Sequence, residues 1–330
     1  MKIVVIGLGS MGKRRIRLLK QYIRSEALKE WKILGVDSNK ERCTESEELY
    51  EIQTFSSLME ANELYKPDAA IISTAPLSHA SIIKECLKYD MHIFTELNLV
   101  DVGYEANMLL AHEKEKVLFL SSTFLYRKEI EYIKAKAEQV KFSGMYRYHI
   151  GQYLPSWHPW ESYKNFFVED KKTNGCREIL AIELPWLVEC FGKIEKTYSI
   201  HKKISNLEID YDDSYHIMLE HENGAIGCLT IDVVTPKTGR EFEMWQEKFC
   251  VTWYGTPDTL MEYDSEKDRM VDVVLYDKVE HQNGYNQFVV ENAYYDELVN
   301  YIETIKGESI PKYSFEKDYE ILKIIDEIEN

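Results

Sequence analysis

Apolar and polar positions follow two different patterns along this chain. Up to about residue 124, short apolar runs alternate with stretches in which apolar residues recur every three or four positions. The first run, Lys2-Ile3-Val4-Val5-Ile6, reads as a buried strand, as do residues 32–36, 68–73, 92–94 and 117–121. Between these runs, residues 14–22, 56–63, 78–88 and 104–115 read as helices. Alternation at this spacing predicts an α/β Rossmann arrangement, a doubly wound parallel sheet with ligands at the carboxyl ends of its strands.

Beyond that point helices become sparse. Residues 144–153, 216–220, 225–233, 249–254 and 271–275 read as strands, with Asn223-Gly224 and Asn283-Gly284 as turn signals. Two helices, 292–305 and 315–328, close the chain, and Lys306-Gly307 is a plausible stop for the first. The pattern predicts a first domain over 1–124 and, over 125–330, an α+β domain with a mainly antiparallel sheet. A cleft between the two is the expected place for chemistry.

The first apolar run breaks directly into Gly7-Leu8-Gly9-Ser10-Met11-Gly12. In a G-x-G-x-x-G turn between strand and helix, Gly7 permits the tight turn, Gly9 lets the backbone approach a pyrophosphate, and Gly12 lets the helix pack closely. The helix start adds free N–H groups and a positive dipole end. Asp37 directly follows the second strand, where a carboxylate accepts from ribose hydroxyls and repels a 2′-phosphate. NAD is therefore favoured, and Ser38, Lys40 and Arg42 keep NADP open. Lys13-Arg14-Arg15 could assist the pyrophosphate or form a solvated helix face.

Size and charge narrow the classes. The 330 residues allow two substantial cores, and a formal net charge of −17 disfavours nucleic-acid binding. No apolar run approaches the roughly 20 residues needed to cross a bilayer, and the opening passes straight into a strand, so no membrane partner and a cytoplasmic location are expected. The six cysteines contain no C-x-x-C pair and read as reduced, mostly buried thiols. Asp212, Asp213 and His216 have metal-ligand chemistry, but strand alternation separates them and no metal is expected.

Together these residues resemble the Gfo/Idh/MocA family, the glucose-fructose oxidoreductase and inositol dehydrogenase group of NAD(P)-dependent sugar and polyol enzymes. The resemblance runs through Ser73-Thr74-Ala75-Pro76 with His79, His92-Ile93-Phe94-Thr95-Glu96, Tyr126-Arg127, Glu222-Asn223-Gly224-Ala225 and Ile305-Lys306-Gly307-Glu308. It implies that Ser73, Thr74, Pro76, His79, Glu96, Leu97 and Arg127 lie near the cofactor, and that a homo-oligomer forms through the open face of the second sheet. Where the family reads Glu-Lys-Pro, this chain reads Glu96-Leu97-Asn98, and leucine can carry no proton. The family's downstream acidic residue, histidine and aspartate fall in one register on Glu178, Ile182 and Pro185, and a shift of one residue brings Glu183 to the histidine.

A polar and aromatic cluster occupies that region instead. His158, Tyr163 and Glu183 are the candidate proton carriers, His158 foremost because imidazole titrates near neutral pH. Each has a plainer alternative: His158 packed between Trp157 and Pro159, Tyr163 in a loop core, Glu183 at a helix start. Trp157 and Trp160 suit the apolar faces of a sugar, and Lys172, Arg177 and Glu178 suit its hydroxyls or an attached acid. For Arg177 a surface ion pair with Glu178 is the competing reading. Three functions follow: an NAD-dependent oxidoreductase acting on a sugar, amino sugar or nucleotide-sugar, with surface-glycan synthesis as an expected setting; an NAD-assisted elimination or epimerisation enzyme; or a non-catalytic sensor of the same ligands.

Overall fold

A computed structural model of the chain describes residues 1–157, 161–281 and 288–330. Its residues cluster into two compact units, Met1–Thr123 with Tyr294–Tyr319, and Phe124–Ala293 with Glu320–Asn330.

The first unit opens with β1 (Lys2–Ile6), α1 (Ser10–Ser25), β2 (Lys32–Val36), α2 (Lys40–Tyr50) and β3 (Gln53–Phe55). It continues through α3 (Leu58–Tyr65), β4 (Ala69–Ile72), α4 (Pro76–Lys88), β5 (His92–Thr95), α5 (Tyr104–Glu113) and β6 (Leu118–Leu120). The six strands are parallel and ordered β3-β2-β1-β4-β5-β6. In this doubly wound order the chain reverses direction between β1 and β4, opening a crevice beyond their carboxyl ends. The α2 and β3 elements escape the sequence pattern for a simple reason. Only Ser46 of α2 is buried and β3 has three residues, so neither carries an apolar period. Asn39 caps α2, its side-chain oxygen accepting from the amides of Glu41 and Arg42, and Ser57 caps α3 through the amide of Glu60.

The second unit holds α6 (Lys128–Gln139), β7 (Met145–Gly151), α7 (Gly175–Phe191), β8 (Ile194–Lys202), β9 (Ser214–His221), β10 (Ile226–Asp232), β11 (Gly239–Gln246) and β12 (Phe249–Trp253). Then come β13 (Met261–Asp264) and β14 (Arg269–Asp272); of the two closing helices, α8 (Glu291–Lys306) falls almost wholly in the first unit and α9 (Phe315–Glu329) enters the second at Glu320. Its eight strands are ordered β14-β13-β12-β11-β7-β10-β9-β8, antiparallel throughout except for β7 beside β10. Side chains alternate between faces. Tyr146, Tyr148 and Ile150 of β7 are buried, and Trp186 of α7 meets the Tyr148 and Phe242 rings edge-on at 5.5 and 5.4 Å. On the other face Met145, Tyr198, Ile200 and Met218 are exposed. The predicted Asn223-Gly224 turn joins β9 to β10, with Gly224 at φ +86° and Asn223 Oδ1 accepting from the Ala225 amide. Asn283-Gly284 lies outside the described residues.

Residues 294–319, read from sequence as part of the second domain, cluster with the first unit instead. The reason is apolar packing. Tyr301 of α8 is fully buried and meets Phe94 and Phe119 edge-on at 5.4 and 5.5 Å, while those two rings stack at 5.2 Å. Phe315 packs on Tyr104 at 4.8 Å, and the hydroxyls of Tyr104 and Tyr313 both donate to buried Asp318. Three of the six cysteines, Cys86, Cys176 and Cys190, are buried, and Cys228 is exposed. No helix among the described residues is long and apolar enough to cross a membrane.

Candidate functional site

Beyond β1 the chain turns at Gly7, whose φ of +90° favours glycine and whose amide donates to the Val36 carbonyl at 2.8 Å. A Cβ on Gly7 would lie 2.6 Å from the Ser73 carbonyl oxygen beyond β4, and one on Gly12 only 1.9 Å from the Gly7 carbonyl. A Cβ on Gly9 would meet nothing within 4 Å. The first and third glycines are thus required by close packing of backbone. The second borders open space, as it would if a ligand's phosphates belonged there.

The surroundings suit an anionic ligand with a diol. Gly9 serves as the N-cap of α1 with no side chain to cap it, and no acidic residue stands in the first turn. Leu8 is buried and its amide donates to Asp37 Oδ2 at 2.8 Å; the Asn39 amide donates to Oδ1 at 2.8 Å. These two bonds aim the carboxylate and leave it lone pairs for ribose hydroxyls. Ser10 is exposed, and the Met11 sulfur takes a hydrogen bond from Arg14 at 2.9 Å. Ser73 Oγ is buried without a hydrogen-bond partner. Lys13 pairs with Glu45, so the basic run is divided among separate tasks. The residues present fit a dinucleotide.

Beyond β5, the side chain of Glu96 is not turned loose toward a ligand. Arg15, fully buried on α1, donates to it twice, Nε to Oε1 at 2.6 Å and Nη2 to Oε2 at 3.0 Å. Nη2 also reaches Glu297 Oε2 at 2.7 Å, and Glu297 accepts from the Ser122 amide at 2.7 Å and from the Ser121 and Thr123 hydroxyls. Burial raises the Glu297 carboxyl above its ordinary range, and Arg15 opposes that rise. Leu97 follows, partly exposed.

Pro76 opens α4 at its first turn, Thr74 Oγ1 meets Ser78 Oγ at 2.8 Å, and His79 lies buried beneath. Its Nε2 is 2.9 Å from the Thr74 carbonyl, and its Nδ1 is 2.6 Å from the Asn98 amide. Burial lowers the His79 pKa. The contact at Nδ1 is with Asn98 Oδ1, and the Thr95 hydroxyl stands 3.2 Å from the same nitrogen. His79 therefore joins the ends of β4 and β5 and holds Asn98, the neighbour of Leu97.

In the second unit, the first turn of α7 gathers the other candidates. Asn174 caps the helix through the Arg177 amide at 2.8 Å. Arg177 was read as a substrate clamp or a partner of Glu178, but its guanidinium binds Asp326 at 2.7 Å and Glu329, both on α9. Glu178 is left with one carboxyl oxygen buried and unpartnered, and burial pushes its pKa up to about 8. Nearby, the Trp157 ring would lie 3.4 Å from a Cβ on Gly175, and the Tyr211 phenol is raised by burial, with Gly175 opposing and Glu178 adding. Trp157 Nε1 and the Tyr211 hydroxyl are likewise buried without partners. Three orphaned polar atoms thus surround one helix start.

The remaining expectations fare differently. Glu183 is fully buried and fully engaged: Arg240 Nε donates to Oε1 at 3.0 Å, and the Tyr148 hydroxyl and Trp186 Nε1 donate to Oε2 at 2.8 and 2.7 Å. It is a core anchor rather than a free proton carrier. The Tyr163 hydroxyl accepts from the Glu208 amide at 3.3 Å, and Lys172 is exposed. Arg127, expected beside the cofactor, is buried within the second unit, where it donates to Glu129 and to the carbonyls of Phe288 and Gly255. His158 and Trp160 lie outside the described residues. Asp212 pairs with His201, Asp213 accepts from Ile204 and Ser205, and His216 faces Thr230, so the three do not converge. Sequence reasoning missed Arg15, Glu297 and Tyr211; the first was visible only as one of three adjacent cations.

Residues 1–124 match the sequence model of an oxidoreductase family with an NAD-binding Rossmann fold. Curated protein sequences give no match. Among solved structures, an oxidoreductase from Agrobacterium radiobacter in complex with NAD+, L-tartaric acid and magnesium is similar at 13% identity and a TM-score of 0.79, over 99% of this chain and 94% of that one. The WlbA dehydrogenase from Bordetella pertussis, in complex with NADH and UDP-GlcNAcA, is similar at 15% and 0.74, over 99% and 95%. GenD2 from gentamicin A biosynthesis, in complex with NAD, is similar at 14% and 0.77, over 99% and 92%. At such identities the likeness is one of fold.

Proposed function

From the match of residues 1–124 to the model of the Gfo/Idh/MocA oxidoreductases' NAD-binding Rossmann fold, we propose an NAD-dependent oxidoreductase acting on a sugar or nucleotide-sugar, with Glu178 as its proton carrier. Bound NAD would supply the hydride acceptor. The chain must supply the other half of the reaction: when a C–H hydride leaves an alcohol carbon, the O–H proton needs a base, and in reduction the new alkoxide needs an acid. Leu97 cannot serve. Glu178 has the required chemistry, a carboxyl with one oxygen buried and unpartnered and a pKa pushed up to about 8, close to a working pH.

Trp157 Nε1 and the Tyr211 hydroxyl are unpaired groups suited to sugar hydroxyls, and exposed Lys172 suits an acidic substituent. The sugar class draws on WlbA, whose structures hold UDP-GlcNAcA. Surface-glycan synthesis in the cytoplasm and a homo-oligomer closed over the exposed face of the second sheet belong to the same reading. The test is turnover of sugar and nucleotide-sugar acids with NAD by wild type, Glu178→Gln and His158→Ala. Loss of turnover in Glu178→Gln with NAD binding intact supports the assignment. Full turnover in that variant refutes it, and loss only in His158→Ala transfers the role to His158.

Leu97 favours one other reading, a binding protein that holds NAD and a sugar without turning them over. Saturable binding of both, with no change of nicotinamide absorbance over a broad substrate panel, would establish it.

A further inference from the structure

The opposite edge of the first unit's sheet, at the amino ends of β2 and β3, carries a cavity of about 460 Å³. This is the size range of small-molecule sites. It lies at the other end of the strand from the glycine turn, since Trp31 and Lys32 stand at the start of β2 whereas Asp37 follows its end. Its walls mix aliphatic side chains with the rings of Trp31 and Tyr65, and three cations line it: Lys20 and Arg24 from the last half of α1, and Lys32.

The charge is out of character for the chain. Against a net charge of −17 for the whole sequence, these walls hold three cations and a single carboxylate, Glu51. Among the described residues, no carboxylate forms an ion pair with Lys20, Arg24 or Lys32. The rings are held in place: Trp31 is tilted against Tyr22 at 5.9 Å, and the Tyr65 hydroxyl donates to Gln53 Oε1 while Lys32 sits 5.8 Å from the Tyr65 ring centre. Fixed rings beside unpaired cations make a slot for a flat group with an anion at its rim.

We propose that this cavity binds a planar aromatic or heteroaromatic ring bearing a carboxylate or a phosphate, independently of the dinucleotide site. The ring lies among Trp31, Tyr65 and the aliphatic wall, and the anion is held by Lys20, Arg24 and Lys32.

The probes are 1-naphthyl phosphate and 1-naphthoate, titrated calorimetrically into the full chain, with inorganic phosphate and neutral 1-naphthol as half-ligands. Saturable binding of at least one anionic naphthalene is expected, with each half-ligand weaker by about tenfold or more. The tighter of the two anions identifies the headgroup. Lys20→Gln with Arg24→Gln, both surface changes, should weaken that binding by about tenfold, reduce its salt dependence, and leave NAD titration unchanged. Trp31→Ala should weaken it separately. No saturable binding of either anion, unchanged affinity in the double variant, or competitive displacement by NAD would each overturn the proposal. If the chain binds the naphthalene but no NAD, the cofactor reading fails and this one stands.

Discussion

One carboxyl oxygen buried without a partner makes Glu178 a measurable liability as well as a candidate acid. Its folded-state pKa, about 8, lies above the 4.5 of the free group, so the folded chain holds this proton more tightly than the unfolded one. The stability it contributes is complete below about pH 4.5 and is lost as pH rises through 8. Glu178→Gln is therefore expected to stabilise the chain at pH 8.5 by roughly 1–3 kcal/mol, the cost of an unsatisfied buried polar group, with a smaller gain at pH 5. Urea unfolding at the two pH values measures it, and an equal effect at both would remove the buried-proton assignment. Asp37 offers a second test at this scale. Asp37→Ser should raise the Kd for NAD by about tenfold while narrowing the preference over NADP, read by fluorescence titration of both reduced cofactors. Gly7, Gly9, Gly12 and Asp37 were legible from sequence because backbone geometry dictates their types. The engagement of Glu183 and Arg177 was not, because their charge partners are distant in sequence, Arg240 for Glu183 and α9 for Arg177, and Arg127, though paired with nearby Glu129, is also held by the distant carbonyls of Phe288 and Gly255.

Among the elements, α8 does work that its own sequence does not announce. Through Glu297 it fixes Arg15, hence Glu96 and the β5 end, and through Tyr301 it completes the Phe94–Phe119 ring cluster. Glu297→Ala would leave buried Arg15 with one carboxylate in place of two, and an expected loss of about 3–5 kcal/mol follows from stranding part of a buried charge network. Chemical denaturation checks this, and a loss below about 1 kcal/mol would mean that Glu96 alone neutralises Arg15. The fragment 1–124, which spans the whole family match, lacks both contacts and is expected to remain largely unfolded and not to bind NAD; circular dichroism and titration test it. The helix itself was legible, predicted over 292–305 and found over Glu291–Lys306, as was β2 in full. Its destination was not, since an amphipathic period says which face is buried and nothing of what buries it. Polar α2 and short β3 carried too little period to be seen.

For the molecule as a whole, the exposed face of the second sheet is the feature that asks for a partner. Tyr198, Ile200 and Met218 are all more than half exposed on neighbouring strands β8 and β9. Such apolar exposure on a sheet is a liability in a monomer. If a second copy covers this face, Ile200→Glu with Met218→Glu should shift the wild-type oligomer to a monomer by light scattering, with stability of the individual chain little changed. A monomeric wild type would leave the face to another partner.

The return of residues 294–319 to the first unit also has a consequence for how the molecule is made. Synthesis proceeds from the amino end, and roughly 170 residues separate Thr123 from Tyr294. At about 5–20 residues per second, a ribosome needs on the order of 10–30 s to deliver the missing piece after the sixth strand has emerged. Throughout that interval the nascent first unit presents Phe94 and Phe119 without their covering tyrosine and Arg15 without its second counter-charge. The unit that begins first is thus complete only at Tyr319, eleven residues before the end of the chain, and protection of the growing chain falls to whatever binds unfinished apolar surface at the ribosome exit.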